Sequence, residues 1–394
     1  MLLQPIGPKG PEEISTMPAP DMETLTSLAK RKGFVYPSSD IYGGFGSTWD
    51  YGPLGTELIR NVKDAWWRKT VLVRNDVVGL NASILIHPRV WEVSGHIENF
   101  KDPLVECPTC RRRYRQDDVS NMHCPHDEDL LTDPRMFNTM FKTYVGPVED
   151  DASVAYLRPE TAQSTYVNFK NVLDSSRVRI PFGVAQIGKS FRNEITTGNF
   201  IFRSREFEQM ELQYFVAPGE DDEAHERWIE TRFTWWTDLG VDTQRLRLRS
   251  HDADELAHYA KATTDIEYEF PFGWGELEGI ANRTDFDLRR HAEASGTDLA
   301  YFDESTKSHI VPFVIEPAAG VDRAALAFLA DAYTEESIEG RDRVVLKLHP
   351  SLAPFKISVF PLARNKAPLV KLATQVAEDL RSRWPVFYDE TGSI

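Results

Sequence analysis

The sequence predicts an α+β fold: an antiparallel β-sheet core flanked by helices, a small cysteine-bearing insertion, and a partial α/β domain towards the C-terminal end. Three observations predict it. The 394 residues are 41% hydrophobic, 27% charged and 11% aromatic, the balance of a globular chain long enough for two or three domains. Between residues 137 and 336, β-type runs (Phe182–Ile187, Phe207–Val216, His309–Ile315) have helical runs set beside them (Thr161–Leu173, Asp222–Leu239, Val321–Tyr333), the pattern of an α+β core. From about residue 345 the pattern becomes strand (Lys356–Phe360), helix (Ala367–Arg383) and strand (Val386–Tyr388), the opening of a separate α/β unit.

Taken in order, residues 1–20 are proline-broken, lack an apolar run behind a basic start, and read as a disordered tail and not a signal peptide. A core region over 21–101 begins with a helix from Asp21 to Lys32, with Asp21 as its cap and Leu25, Leu28 and Ala29 at helical spacing. The segment Tyr42–Gly55 holds five glycines among aromatics and predicts an ordered loop. Leu54 to Val71 reads as an amphipathic helix with Leu58, Val62, Ala65 and Trp66 on one side. Residues 77–100 read as strands and turns. Residues 102–136 carry all three cysteines in a polar stretch and read as the insertion; 137–336 completes the core and 345–394 is the partial domain.

Charge and cysteine usage narrow the function. A net charge of -16 excludes a bulk polyanion binder, so nucleic-acid contact has to come from local basic patches such as CPTCRRRYR at 107–115 or the stretch beyond Ser337. No apolar run approaches the roughly 18 residues of a membrane helix. Three cysteines cannot form a disulfide framework, which predicts a reducing, cytoplasmic setting and leaves metal binding as the better use for closely spaced thiols.

The most informative segment is Gln186 to Phe215, two strands joined by a loop at Thr196–Asn199. Alternation puts Arg192 with Glu194 on one face, and Phe207, Gln209, Glu211 and Gln213 on one face, with Met210, Leu212 and Tyr214 turned away. A polar face where a core face is expected suits a nucleotide: guanidinium for phosphate, carboxylate for an exocyclic amine, ring for a base. The rival reading is an exposed face of cross-strand ion pairs.

FRNE followed by Arg203 and Phe207 resembles motif 2 of the class II aminoacyl-tRNA synthetases, and GVDR at 320–323 resembles their motif 3. More narrowly, LRPETAQ (157–163), QIGKSFRNE (186–194), REFEQME (205–211), GELEGIANRTDFDL (275–288) and VIEPAAGVDR (314–323) are similar to the dimeric glycyl-tRNA synthetases. The resemblance implies ATP-dependent formation of glycyl adenylate and its transfer to the 3′ end of glycine tRNA, by a homodimer whose motif 1 lies in the 54–71 helix and the strands after it. It implies that Arg192 binds the α-phosphate, Glu194 the adenine amine and Arg203 the γ-phosphate, that Phe207 and Arg323 sandwich the base, and that Glu278 and Glu316 hold Mg2+. Glu160, Glu211 and Glu316 would ring the glycine ammonium, near Arg192 and Ala318. His87, His96, His251, His258, His291 and His309 are scattered without ligand spacing and read as structural.

Cys107-x-x-Cys110 and Cys124-Pro-His126 resemble a zinc knuckle; the position of a second CxxC cysteine is Asp127, with His126 and His123 as nearby substitutes, and His126 is expected as the fourth ligand to Zn2+. Four departures from the family stand out: Ala318 for a serine, Ser164 for a glycine, Thr197-Gly198 for a Pro-Arg pair, and a C-terminal anticodon-binding domain of which only the first part is expected. They admit two other readings. One is a paralogue loading a non-tRNA acceptor such as a carrier protein; the other is a non-catalytic, synthetase-like nucleic-acid-binding subunit.

Overall fold

The computed structural model describes residues 19, 21–195, 198–338 and 340–391. The expected tail therefore lies outside the described residues apart from Ala19, as do Thr196 and Thr197 of the hairpin loop. The helix Met22–Lys32 starts where Asp21 accepts from the Thr24 N–H at 2.7 Å and stops at Gly33, whose φ of 75° suits a residue without a Cβ. Part of the glycine-rich segment is regular: Trp49–Tyr51 pairs antiparallel with Val35–Pro37, and the next helix already begins at Pro53. Proline presets the first helical turn there. The helix Pro53–Trp67 buries Leu58, Val62 and Trp66, with Ala65 half-buried, and passes into a π-turn over Arg68–Leu72.

The centre is a seven-stranded sheet: β1 (Val77–Gly79), β2 (Phe182–Phe191), β3 (Glu206–Val216), β4 (Leu246–Ser250), β5 (Ala262–Phe270), β6 (Gly273–Thr284) and β7 (Phe313–Gly320). Its order is β4-β5-β6-β7-β3-β2-β1, and every neighbouring pair is antiparallel except β1 with β2. One face packs Met210, Leu212 and Tyr214 into the larger core with the helices Asp221–Asp238 and Val321–Ala332. On the other face, Phe182 and Phe215 stack with Phe169 of the helix Phe169–Ser176, at centroid distances of 4.8–6.0 Å. The expected Thr161–Leu173 helix is split in two, Ala162–Val167 and Phe169–Ser176, at Asn168.

Residues 77–100 depart from the strand-and-turn expectation. They contain two short helices, Pro88–Val93 and His96–Asn99. Pro88 starts the first, and Gly95, at φ 83°, turns the chain into the second. The insertion has its own three-stranded sheet, Lys101–Glu106 between Arg113–Arg115 and Arg135–Asn138, over a core of Val105, Cys107, Cys124 and Leu131. Beyond it, Tyr333–Ile338 and Arg341–Leu346 form a hairpin that the periodicity did not reveal. The strands Ile357–Val359 and Val386–Tyr388 then pair in parallel around the helix Ala367–Arg381. Among the described residues no helix is long and apolar enough to cross a membrane.

Candidate active site

A cavity of about 320 Å³ opens over the polar face of β3, β6 and β7. At one end stand Arg192, Glu194, Arg203, Phe207 and Arg323; at the other, Glu160, Glu211 and Glu316. β2 ends at Phe191, so Arg192 and Glu194 are not strand-face neighbours but occupy the irregular backbone just beyond it. That backbone is pinned: the Arg192 N–H donates to Arg205 O at 2.9 Å, and Arg205 Nη2 donates to Glu194 O at 3.1 Å. Arg205 also donates to Gly46 O, which ties the glycine-rich segment to the hairpin. The Arg192 guanidinium donates through Nε to Pro159 O at 3.0 Å and lies 5.3 Å from the Phe100 ring and 5.4 Å from the Phe207 ring. Arg323, in the first turn of the helix Val321–Ala332, lies over Phe202 at 4.4 Å and pairs with Glu276 at 3.1 Å.

The three carboxylates differ in what holds them. Glu160 follows Arg158, whose buried guanidinium crosses β2 to donate to Lys189 O at 2.7 Å. Gly188 permits this crossing, since a Cβ there would lie 2.2 Å from Arg158 Nη2. Burial alone would raise the Glu160 carboxyl, but His96 at 3.1 Å, followed by Arg283 and Arg192, holds it well below the usual range. Glu211 has no cation at hydrogen-bond distance among the described residues; it accepts from the Thr161 hydroxyl, and burial, then the charges of Glu316 and Glu160, push it well above the usual range. Glu316 accepts from Gln213 Nε2 at 2.6 Å and Arg283 Nη1 at 3.0 Å. Burial, helped by Glu160 and opposed by Arg283, raises it to about 7.

The floor between the two ends is made of small residues, Gly279, Ala281, Ala318 and Gly320. Ala318 sits in register between Glu211 on β3 and Gly279 on β6. Ser164 does not line this cavity; it is buried in the helix Ala162–Val167, its hydroxyl without a hydrogen-bond partner among the described residues.

Glu278 is not in the cavity. The β5–β6 ladder shifts register after Ile266: Ile266 faces Glu278, while Glu267 faces Glu276. The extra residue, Leu277, turns into the larger core, so Glu276 faces the cavity and Glu278 faces away. There Glu278 is fully buried, accepting from Arg232 Nε at 2.6 Å and Trp236 Nε1 at 2.9 Å. The expected place for Glu278 on the phosphate side is therefore corrected to the opposite face of the sheet. Alternation alone could not have shown this.

In the insertion, the fourth group is Asp127 and not His126. Ligand atoms of Cys107, Cys110, Cys124 and Asp127 all lie within 4.8 Å of one another. Two equivalent turns explain the correction. Arg111 N–H returns to Cys107 O at 3.0 Å, and Glu128 N–H returns to Cys124 O at 2.9 Å, with Arg111 and Glu128 both left-handed. Position three after the first cysteine is Cys110, and position three after Cys124 is Asp127. His126 offers only its backbone N–H to Cys124 Sγ, at 3.5 Å, and its side chain is exposed. The Cys110–Cys124 sulfur distance of 3.7 Å is close to the edge of a tetrahedron with bonds of about 2.3 Å, the length of a zinc–thiolate bond.

Other residues at the cavity escaped the motif reading. His96 reaches Glu160, and His251, paired with Asp265 at 2.7 Å, lines the opposite side. Arg283 is buried between Tyr259 at 3.7 Å and Tyr166 at 5.5 Å, holding Glu316 and Asp287. Arg283 lies within the block GELEGIANRTDFDL but has no role in the motif reading, whereas His96 and His251, which read as structural histidines, lie beside no recognised block.

Residues 144–332 match the family model described as tRNA synthetase class II core domain (G, H, P, S and T). The fold is also that of a solved prolyl-tRNA synthetase from Giardia lamblia in complex with prolyl-adenylate, at TM-score 0.67 and 14% identity, over 95% of this chain and 65% of that one. Sheet, hairpin and core domain together define a class II aminoacyl-tRNA synthetase. Curated glycine–tRNA ligases narrow this: the chain is 53% identical to that of Thermobifida fusca over 95% of its own length and 86% of the relative's. It is 52% identical to the Alkaliphilus oremlandii ligase, over 95% and 87%. The chain belongs to the glycine–tRNA ligase family.

Proposed function

We propose that the cavity joins glycine to ATP and passes the glycyl group to tRNA, each step resting on particular residues. The observation that carries this is a single recess with arginines and aromatic rings at one end, three carboxylates at the other, and a small-residue floor between. Glycine enters with its ammonium among Glu160, Glu211 and Glu316, which sets its carboxylate towards Arg192. The carboxylate oxygen attacks the α-phosphorus of ATP in line, the bond to the β-phosphate oxygen breaks, and pyrophosphate leaves. Arg192 neutralises the charge that builds on the α-phosphoryl oxygens, and Arg203 takes the γ-phosphate. Glu194 accepts from the adenine amine, and the base lies between Phe207 and Arg323. A hydroxyl at the tRNA 3′ end then attacks the adenylate carbonyl and AMP leaves. Neither step needs a protein nucleophile; both depend on positioning and charge stabilisation.

Magnesium would neutralise the phosphates, with Glu276 beside Arg323 as the oxygen ligand at that end of the cavity, since Glu278 faces away and Glu316 is committed to Gln213 and Arg283. Zinc would be held by Cys107, Cys110, Cys124 and Asp127, fastening an insertion whose own core is four residues. Its three cysteines form no disulfide, which suits the reducing cytoplasm as the site of action. Assembly as a homodimer through the 54–71 helix and the strand after it agrees with the exposed Leu72 and Val73. The test is amino-acid-dependent exchange of labelled pyrophosphate into ATP. Exchange with glycine alone supports the reading; exchange with another amino acid, or none from a folded, ATP-binding protein, overturns it.

A further inference from the structure

His96 takes no part in the reaction just described, yet its setting is that of a built contact. It is 2% exposed, and its Nδ1 is 2.7 Å from Ser94 Oγ while Nε2 is 3.1 Å from Glu160 Oε2. That second contact has ion-pair distance without ideal hydrogen-bond alignment, since Nε2 lacks a partner of good angle. The ring cannot swing away: Trp91 meets it edge-on at 5.3 Å and Phe100 lies against it at 4.9 Å. Phe100 in turn lies beneath the Arg192 guanidinium. One short segment thus touches both the carboxylate at the ammonium end and the arginine at the phosphate end. Gly95 makes this possible, because its left-handed φ of 83° reverses the chain between Ser94 and His96. A Cβ there would also meet Asn99 Nδ2 at 3.0 Å.

We propose that His96 is a positioning residue for amino-acid binding: through Nε2 it fixes the rotamer of Glu160 so that one carboxylate oxygen is aimed at the substrate ammonium. The inference rests on the proposed placement of glycine at Glu160. Glu160 has another neighbour in Gln163, whose amide stands 3.3 Å from Oε1. Gln163 is itself engaged by Asp287 at 2.8 Å and His291 at 2.9 Å, so His96 is the partner that determines where Oε2 lies.

The experiment measures KM for glycine and for ATP separately by pyrophosphate exchange in wild type, H96F and H96Q. Phenylalanine keeps the ring packing without a donor; glutamine keeps a donor near the position of Nε2. The expected result is a glycine KM raised about tenfold or more in H96F, with the ATP KM within about twofold and H96Q recovering most of the loss. A glycine KM within about twofold of wild type in H96F, or parallel changes in both KM values, overturns the proposal. If H96F is insoluble, glycine binding by equilibrium dialysis decides. A loss in H96A that vanishes in an E160Q background supports the contact, and no loss, or an equal loss in both backgrounds, overturns it. Absence of glycine-dependent exchange in the wild type would refute the parent reading instead, so the two failures are distinct.

Discussion

Arg192 and Glu278 illustrate how differently two charged residues of one motif set can be used. Arg192 is partly exposed to the cavity, and we expect R192A, like R323A, to abolish adenylate formation while the protein stays folded; unchanged exchange in either variant would remove it from the site. Glu278 is fully buried with Arg232 and Trp236, and removing one partner of such a pair strands the other in a low-dielectric interior. Glu278→Ala should therefore cost about 3–5 kcal/mol of stability, seen as a lower midpoint in urea, and surviving protein should bind ATP normally. Ser164→Ala should go the other way. It removes a buried hydroxyl without a partner, worth about 1 kcal/mol or more, and a thermal melt will show the gain. The carboxylate cluster predicts a pH dependence. Glu316 is raised from 4.5 to about 7 and Glu211 is raised as well, so between those two values these carboxyls bind more protons in the native state than in the unfolded chain, an effect that the lowered His291 partly offsets. Stability without ligand should fall as pH rises from about 4.5 to 7. Glycine's ammonium favours the ionised carboxylates, so its binding should release protons near pH 6, measurable by titration calorimetry in buffers of differing ionisation heat.

Elements show where local reading succeeds and where it stops. The helix start at Asp21 and the face assignments of β3 arise from a cap and from alternation, which act over three or four residues. The bulge at Leu277 does not: it is set by how β6 must meet β5, and one extra residue inverts every later side chain on the strand. The same holds for Pro88–Val93 and His96–Asn99, too short to show a helical period. In the knuckle, spacing identified the cysteines and put Asp127 at the second CxxC position, but its choice over His126 follows from the paired turns. Asp127→Cys should retain zinc through chelator treatment that strips the parent protein, whereas H126A should leave metal content unchanged; metal-to-protein ratio by atomic emission checks both.

At the scale of the molecule, the blocks that carry the family resemblance, scattered from 157 to 323, are brought onto one face because β3, β6 and β7 are adjacent in the sheet though separated in sequence. The motif residues were legible because each sits beside a recognisable block. Of their supporting partners, Arg283 lies inside such a block but His96 and Tyr259 do not, and what qualifies all three is distance in space. A dimer is the remaining expectation at this scale, and sedimentation equilibrium should give twice the 45.0 kDa chain mass. The floor of Gly279, Ala281, Ala318 and Gly320 has one more consequence. A pocket that selects by lacking atoms stands almost at the lower limit of side-chain size, and truncation beneath the substrate has only the methyls of Ala281 and Ala318 left to remove. A side chain at Gly279 or Gly320 can only take space from the cavity, even though a first methyl there meets its neighbours at 3.4 Å or more; acquiring a much larger substrate would require the strands themselves to move apart. Fidelity of this kind is protected by the covalent minimum of the amino-acid alphabet.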